Sequence, residues 1–522
     1  MRPVVSAPCP CLVSYRRRQR ILVCLLGVLF LRAPFHVHAG EWKFGASIGA
    51  NLTATDNVFL APAGQEQRDL VLGVVPSFSA SLDAARLKVN VNLSPTLYTY
   101  MQNQQADYIA GAGSAVASLE AAEKFFYIDG FVQNYQTFIS PFATQPESGA
   151  SITNNRTQTT VLNLSPYIKS TTSSGVSYLF RDDNTWSTSD TAGLSNVYVN
   201  NLTATVDGPT DRWVRWGVDY NYNYTRFQNN EAPFRLQLGR LRGTHFVDPQ
   251  LSLTADVGYE KNDYTLSGYH GPIYGAGFDW KPTERADIYA NAEHRFFGTS
   301  YSVGFNNRTR LTAFSLSASR GIQTYPQQLT VPAGSTAFVL DKIFQATIPD
   351  PVARQQAVND FIQKTGLPPT LGAPFNYYTN QIYVVEQVGA SFGLIGARNS
   401  LTFSLFWYNS TPVTASGQAL PIAFASSNAI TQSGGGVAFS HQLSAYTSLT
   451  ANVNRVSNRT AGSTFNTIGA VGSVQTTYWV GVAQQLSPKT SGTLGVRYVN
   501  FDSDLFSSYT ELAVVAGIVH TF

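Results

Sequence analysis

From residue 41 to the C-terminus, apolar and polar residues alternate along most of the chain. Trp216, Val218, Tyr220, Tyr222 and Tyr224 occupy every second position, with Arg215, Asp219, Asn221 and Asn223 between them. Leu251, Leu253, Ala255, Val257 and Tyr259 repeat the pattern against Ser252, Thr254, Asp256, Gly258 and Glu260. Leu87, Val89, Val91 and Leu93 do so against Lys88, Asn90, Asn92 and Ser94. A period of two puts the two sets on opposite faces of a strand. A soluble sandwich with one buried face has the same period. Many of these runs reach about 12–16 residues, however, whereas ordinary strands have about 5–6. Strands tilted through a bilayer need about 9–11 residues in lipid alone.

Such segments recur between clusters of Gly, Asn, Asp, Pro and Ser. The pattern predicts strands over 41–52, 70–83, 85–101, 107–121, 123–139, 157–172, 174–187, 194–207, 212–227, 235–247 and 250–263. It continues over 268–281, 284–297, 299–307, 309–323, 377–394, 398–410, 431–443, 445–458, 466–487, 489–502 and 509–522. The predicted fold is all-β: one large antiparallel transmembrane β-barrel of about 22 strands, within a range of about 18–24, since bacterial barrels prefer even numbers. Phe125-Phe126, Phe296-Phe297, Phe406-Trp407-Tyr408 and Tyr478-Trp479 fall near segment ends, where aromatic girdles would sit at headgroup level.

Composition supports membrane strands over a soluble core. Charged residues make up 13%, against about 25% in ordinary globular domains. Mean hydropathy is nonetheless only −0.08, and beyond residue 40 no apolar run is long enough for a spanning helix. Strands that meet lipid on one face and a watery lumen on the other produce this mixture.

The first 39 residues differ from the rest. Arg16, Arg17, Arg18 and Arg20 precede an apolar run from Ile21 to Leu31, and Val37 and Ala39 suit a signal peptidase. A secretory signal peptide is expected, cleaved after Ala39; the run is about half the length of a spanning helix. Cys9, Cys11 and Cys24 all lie within it, so the mature chain is expected to have no thiol and no disulfide. Without its six arginines, 29 basic residues remain against 32 acidic ones. The pI near 8.6 therefore says nothing about nucleic acid. At the other end, Leu512, Val514, Ala516 and Ile518 alternate before Phe522, a terminal aromatic of the kind that barrel-assembly machinery recognises. His520 departs from that apolar pattern.

One segment, 324–376, does not alternate. Asp350 reads as a helix cap, Pro351 as a first helical residue, and Val358, Phe361 and Ile362 as an apolar stripe at i, i+3 and i+4. Gly366 and Pro368-Pro369 end the helix. Long helical loops in barrels are often functional, so the segment reads as a plug or lid, with a passive surface decoration as the alternative. With fifteen strands before it, it would start at the extracellular end; one miscounted strand would move it to the periplasmic side.

Here the chain resembles a known family, the outer-membrane β-barrel proteins associated with the PEP-CTERM/exosortase system, themselves similar to porin-type β-barrels. The resemblance rests on Asp350-Pro351-Val352-Ala353-Arg354, on Phe361-Ile362 through Gly366-Leu367-Pro368, on Tyr378-Thr379-Asn380-Gln381, on Gly396-Ala397-Arg398-Asn399 and on the ending at Phe522. It implies a Gram-negative outer membrane and a setting beside exopolysaccharide export, and it carries over no functional residues.

Candidate lumen-lining residues are Lys88, Arg215, Asp219, Asp256, Glu260 and Arg497, with Arg86 and Arg310 also on polar positions. No catalytic, cofactor or metal residues are assigned. The five histidines beyond residue 39 lack metal-ligand spacing, and His294, between Glu293 and Arg295, reads as a lumen or rim residue. No phosphate-binding glycine loop precedes a helix. Three functions follow in order: an exported, porin-like outer-membrane channel linked to exopolysaccharide; a non-conducting barrel anchoring polysaccharide or surface proteins; and, last, a barrel enzyme. The strand pattern begins at Trp42, which leaves no room for an N-terminal plug domain. Outer-membrane lipid, assembly machinery and polysaccharide are the expected partners; nucleic acid is not.

Overall fold

The computed structural model describes residues 40–522 apart from 192–193, 195, 210–212, 229–231, 265–267, 414–428 and 461–470. Within 324–381 it describes residues 340, 341, 344, 348, 354, 357, 358, 361, 362 and 374. The expected signal peptide lies outside the described residues, as do Asp350 and Pro351.

Every strand pairs antiparallel with its sequence neighbours. They are β1 (Trp42–Thr55), β2 (Asp69–Asp83), β3 (Leu87–Leu93, resumed at Thr96–Tyr100) and β4 (Tyr108–Ala110, resumed at Gly113–Ala122). Next come β5 (Phe126–Phe138), β6 (Arg156–Thr171), β7 (Ser177–Ser189), β8 (Val197–Asp207), β9 (Val214–Phe227) and β10 (Phe234–Phe246). They are followed by β11 (Leu251–Asn262), β12 (Tyr269–Thr283), β13 (Ala286–Arg295), β14 (Gly298–Arg308) and β15 (Thr312–Gln323). The last are β16 (Tyr383–Ile395), β17 (Asn399–Pro412), β18 (Ile430–Gln442), β19 (Thr447–Thr460), β20 (Gly472–Ser487), β21 (Thr490–Ser503) and β22 (Tyr509–Thr521). β1 pairs with β22 from Ser47↔Thr521 to Thr55↔Ala513, which closes the sheet. The result is a closed antiparallel barrel of 22 strands, as the alternation predicted. Closure leaves no row of unpaired backbone groups facing lipid.

Two expected strands are interrupted, at 94–95 and at 111–112. Pro95 has no N–H to donate to a ladder. The chain steps around it, with the Ser94 amide donating to the Ala112 carbonyl at 2.9 Å.

Which face is which follows from exposure. Phe44, Leu241, Val257 and Leu494 are 68%, 60%, 58% and 58% exposed. They belong to the apolar set of their strands and lie outside; the polar set of the same strands lines the lumen. The aromatic pairs divide accordingly, because adjacent residues point to opposite faces. Trp407 and Tyr478 lie outside, while Phe406 and Tyr408 are buried on the inner side with Tyr383, Val385 and Val456. Phe296 packs into an inner cluster with Tyr264 and Ile382. These three rings are not girdle residues.

One rim carries short turns, such as 84–86, 284–285 and 488–489, and the other long loops, at 56–68, 139–155 and 324–382. About 22 strands spaced about 4.8 Å apart and tilted about 40° make a backbone circle of roughly 20 Å radius. Side chains of wall residues do not fill such a space. Something else must, or the lumen stays open.

Candidate functional site: the lumen wall and what folds onto it

The inner face of β5–β13 carries arginines held between acids on neighbouring strands. Arg181 bonds Asp129 at 2.9 Å and Asp183 at 2.8 Å. Arg242 bonds Asp207 at 2.9 Å and Asp219 at 3.2 Å. Arg240 reaches Glu293 through both Nε and Nη2, at 2.5 and 2.8 Å. Arg295 bonds Glu260 at 2.8 Å, and Glu260, with no exposure, also accepts from the Phe296 amide at 2.5 Å. These are charge-assisted pairs in fixed geometry, the stronger kind of hydrogen bond.

Convergence of Arg240, Asp256 and Glu293 depends on a glycine. Asp256 pairs in register with Gly275, and Gly275 with Glu293. A Cβ on Gly275 would meet Asp256 Oδ1 at 2.7 Å and the Ala292 carbonyl at 2.8 Å. The bare backbone there lets the Arg240 side chain pass across two strands to its carboxylate.

The structure places the six candidate wall residues as follows. Asp219 and Glu260 join the network just described; Asp256 lies beside it, in register with Gly275, and its Oδ2 is buried without a hydrogen-bond partner. Arg215, on the same face, lies over the Phe246 ring at 5.7 Å. Arg497 stands apart, on the wall formed by β21 and β22, where it bonds both oxygens of Glu511 at 3.1 Å. Lys88 sits at the short-turn rim, paired with Asp83 at 3.4 Å and largely exposed. Arg86 and Arg310 lie in turns at that rim, and Arg86 pairs there with Glu123 at 2.8 Å; neither is on the wall. His294 faces outward, stacked on Tyr274 at 5.1 Å. Alternation explains it: Glu293 and Arg295 share one face and the residue between them takes the other. Sequence reasoning missed Arg240, Arg242 and Asp207, which sit in strands where no motif marks them. Their signal was an inward-facing charge of opposite sign one to three strands away, visible only once the register is known.

The insertion between β15 and β16 begins at the long-loop rim, yet Phe344 and Phe361 pack against the inner wall. Phe344 packs on Ala313, an inner-face residue at the short-turn end of β15, as does Ile395 of β16. Phe361 packs on Ala438, on the inner face of β18. Residues 340, 341, 344, 354, 357, 358, 361 and 362 are helical. Phe344 and Phe361 meet edge to face at 5.7 Å, Arg354 bonds Asp341 at 2.6 Å, and Leu340 and Val358 have no exposure. Phe361 and Val358 are thus packing residues of the stripe read from the sequence, with Ile362 half-buried beside them. On the wall nearby, Thr402, Ser404, Ser440 and Thr450 point inward and are at most 2% exposed.

A second segment, unforeseen in the alternation pattern, also folds inward. The 139–155 loop leaves β5 and docks across the lumen wall on strands β19–β22. The Pro141 carbonyl accepts from Asn458 and Ser473, both at 3.0 Å. The Gln145 carbonyl accepts from the Tyr509 hydroxyl at 3.1 Å. Glu147 accepts from Gln475 at 2.6 Å and Thr477 at 2.5 Å. Asn155 braces the loop base through the Ser140 carbonyl at 2.8 Å and the Thr144 carbonyl at 3.0 Å. At the short-turn rim the lumen opens into a 780 Å³ cavity lined by Asp279, Lys281, Asp287, Asn306 and Arg308 among others. Among the described residues no cluster of His, Cys, Asp and Glu is placed to hold a metal ion, and no helix is long and apolar enough to cross a membrane.

Fold and site define a class: a transmembrane-type β-barrel with an ion-paired wall and two inward-folded segments. No family model and no curated protein matches the chain. Among solved structures it is similar to the siderophore receptor PirA from Acinetobacter baumannii, at 9% identity, TM-score 0.47, over 92% of this chain and 80% of that one. The ferric citrate transporter FecA in its unliganded form shows 10% identity, TM-score 0.46, over 92% and 79%. OccK3 (OpdO) from Pseudomonas aeruginosa shows 9% identity, TM-score 0.29, over 92% and 96%.

Proposed function

We propose that this chain is an outer-membrane channel barrel whose lumen is held closed by the 324–382 insertion and narrowed by the 139–155 loop. One observation carries the reading: Phe344 belongs to a segment that starts at the long-loop rim, yet it packs on Ala313 at the short-turn end of β15. A surface decoration would not reach there. Short turns on one rim and long loops on the other are the pattern of outer-membrane barrels, with the long loops extracellular. On that basis the insertion enters from outside and passes most of the way through the wall's depth.

A polar polymer is the proposed cargo. Support comes from the resemblance around Asp350–Gly366 to barrels beside exopolysaccharide export and from a wall of fixed charge pairs, which suits a polymer of hydroxyls and carboxylates better than an apolar one. Phe522, 69% exposed and fixed by its amide to the Ala46 carbonyl at 3.0 Å, is the proposed signal to assembly machinery. The test is current through single molecules in planar bilayers, with and without an acidic polysaccharide. Small, intermittent openings that polysaccharide shortens are expected. A barrel shown by circular dichroism to be inserted and β-rich, yet silent and indifferent to polysaccharide, would favour the anchoring role instead.

A further inference from the structure

The outer surface of β7 and β8 breaks the apolar pattern in the middle of the wall. Asp182 and Asn184 on β7 share the outward face with Phe180 and Trp186, which are 43% and 38% exposed and bracket them along the strand. Their register partners are Leu202 and Asn200 on β8. Leu162 and Leu164 on β6, both 44% exposed, flank the other side. Asp182 lies near the centre of its strand, so its carboxylate is at the depth where hydrocarbon would be.

The polar groups have organised themselves. Asn184 Nδ2 donates to Asp182 Oδ2 at 3.0 Å. Asn200 Nδ2 donates to Asp182 Oδ1 at 2.5 Å and to Asn184 Oδ1 at 3.1 Å. The Tyr198 hydroxyl donates to Asn184 Oδ1 at 2.7 Å. An ionised carboxylate facing lipid is strongly unfavourable, and even amides cost several kcal/mol in hydrocarbon when unpaired. Internal bonds satisfy most of the cluster but leave two groups over among the described residues: the second N–H of Asn184 and the side-chain oxygen of Asn200. One is a donor and the other an acceptor, side by side.

We propose that this face is where two copies of the chain pair within the membrane. A two-fold axis through the patch would match the free Asn184 N–H of each copy with the Asn200 oxygen of the other. Such an isologous contact needs a surface complementary to itself, and a neighbouring donor and acceptor meet that need. The surrounding Leu162, Leu164, Leu202, Trp186 and Phe180 supply an apolar rim around the polar centre. A cationic partner protein would instead need a free carboxylate, and Asp182 is already bonded through both oxygens.

The inference rests on the membrane reading above, and the experiment separates the two. The mature chain is reconstituted in liposomes, and protease protection with circular dichroism first establishes insertion. Leu202→Cys is then oxidised with copper–phenanthroline, beside Val496→Cys on the far wall as control. A disulfide-linked dimer of Leu202→Cys alone is expected. The triple change Asp182→Leu, Asn184→Leu, Asn200→Leu in the Leu202→Cys background should abolish it while the heat-modifiable barrel band persists. An inserted barrel whose Leu202→Cys stays monomeric, or links only to a different protein in native membranes, overturns the pairing. Failure to insert would overturn the membrane reading first.

Discussion

Arg295 holds the carboxylate of Glu260, which has no exposure, beneath the aromatic cluster of Phe227, Tyr264 and Phe296. Replacing the arginine leaves that charge without its partner, a change that costs about 3–5 kcal/mol in buried pairs. Arg295→Met should therefore destabilise the lipid-inserted barrel by about that much in urea unfolding followed by tryptophan fluorescence. Adding Glu260→Gln should recover most of the loss. A single-variant effect below about 1 kcal/mol would mean that water reaches Glu260. Gly275 provides a second residue-scale test. The Cβ of Gly275→Val would lie 2.7 Å from Asp256 Oδ1, with two methyl groups beyond it, so Arg240 and Glu293 should lose their alignment. The expected result is a lower unfolding midpoint with β-content unchanged; an unaltered midpoint would show that the wall adjusts freely there.

At the scale of elements, the strands were legible because period-two alternation depends only on which residues meet lipid. Leu251–Glu260 and Trp216–Tyr224 show it without any knowledge of neighbours. The insertion was legible as a departure from that rule, and its Val358, Phe361 stripe as something that packs. What the stripe packs against was not legible, because Ala438, under Phe361, is a small, ordinary strand residue. The inward path of the 139–155 loop was hidden for a different reason. Many of its anchors are carbonyls of Pro141, Phe142 and Gln145, which have no sequence signature; the Phe142 ring beside Ile430, Ser151 on Glu511 and Glu147 on β20 add side chains. Glu147→Ala removes the acceptor of Gln475 and Thr477. Two charge-assisted bonds worth about 1.5–3 kcal/mol each would be lost. Protease cleavage within 142–152 should become faster in the variant than in the parent barrel. Equal rates would show that the loop is held without Glu147, by its carbonyls, the Phe142 ring and Ser151.

For the whole molecule, closure between β1 and β22 and the proposed occupancy of the lumen are the two features that yield the remaining predictions. The first predicts that removal of 509–522 prevents formation of a heat-resistant barrel, since β1 and β21 would both present open edges to lipid. A heat-resistant band from the truncated chain would show that another pairing can close the sheet. The second separates a plugged barrel from an open pore of the same width. A wall of roughly 20 Å backbone radius conducts freely if nothing fills it. Single-channel conductance of the barrel lacking 337–366, measured beside the full chain, tests this most directly. A several-fold larger and steadier conductance in the deletion is the predicted result; conductance unchanged in a correctly inserted barrel would contradict it.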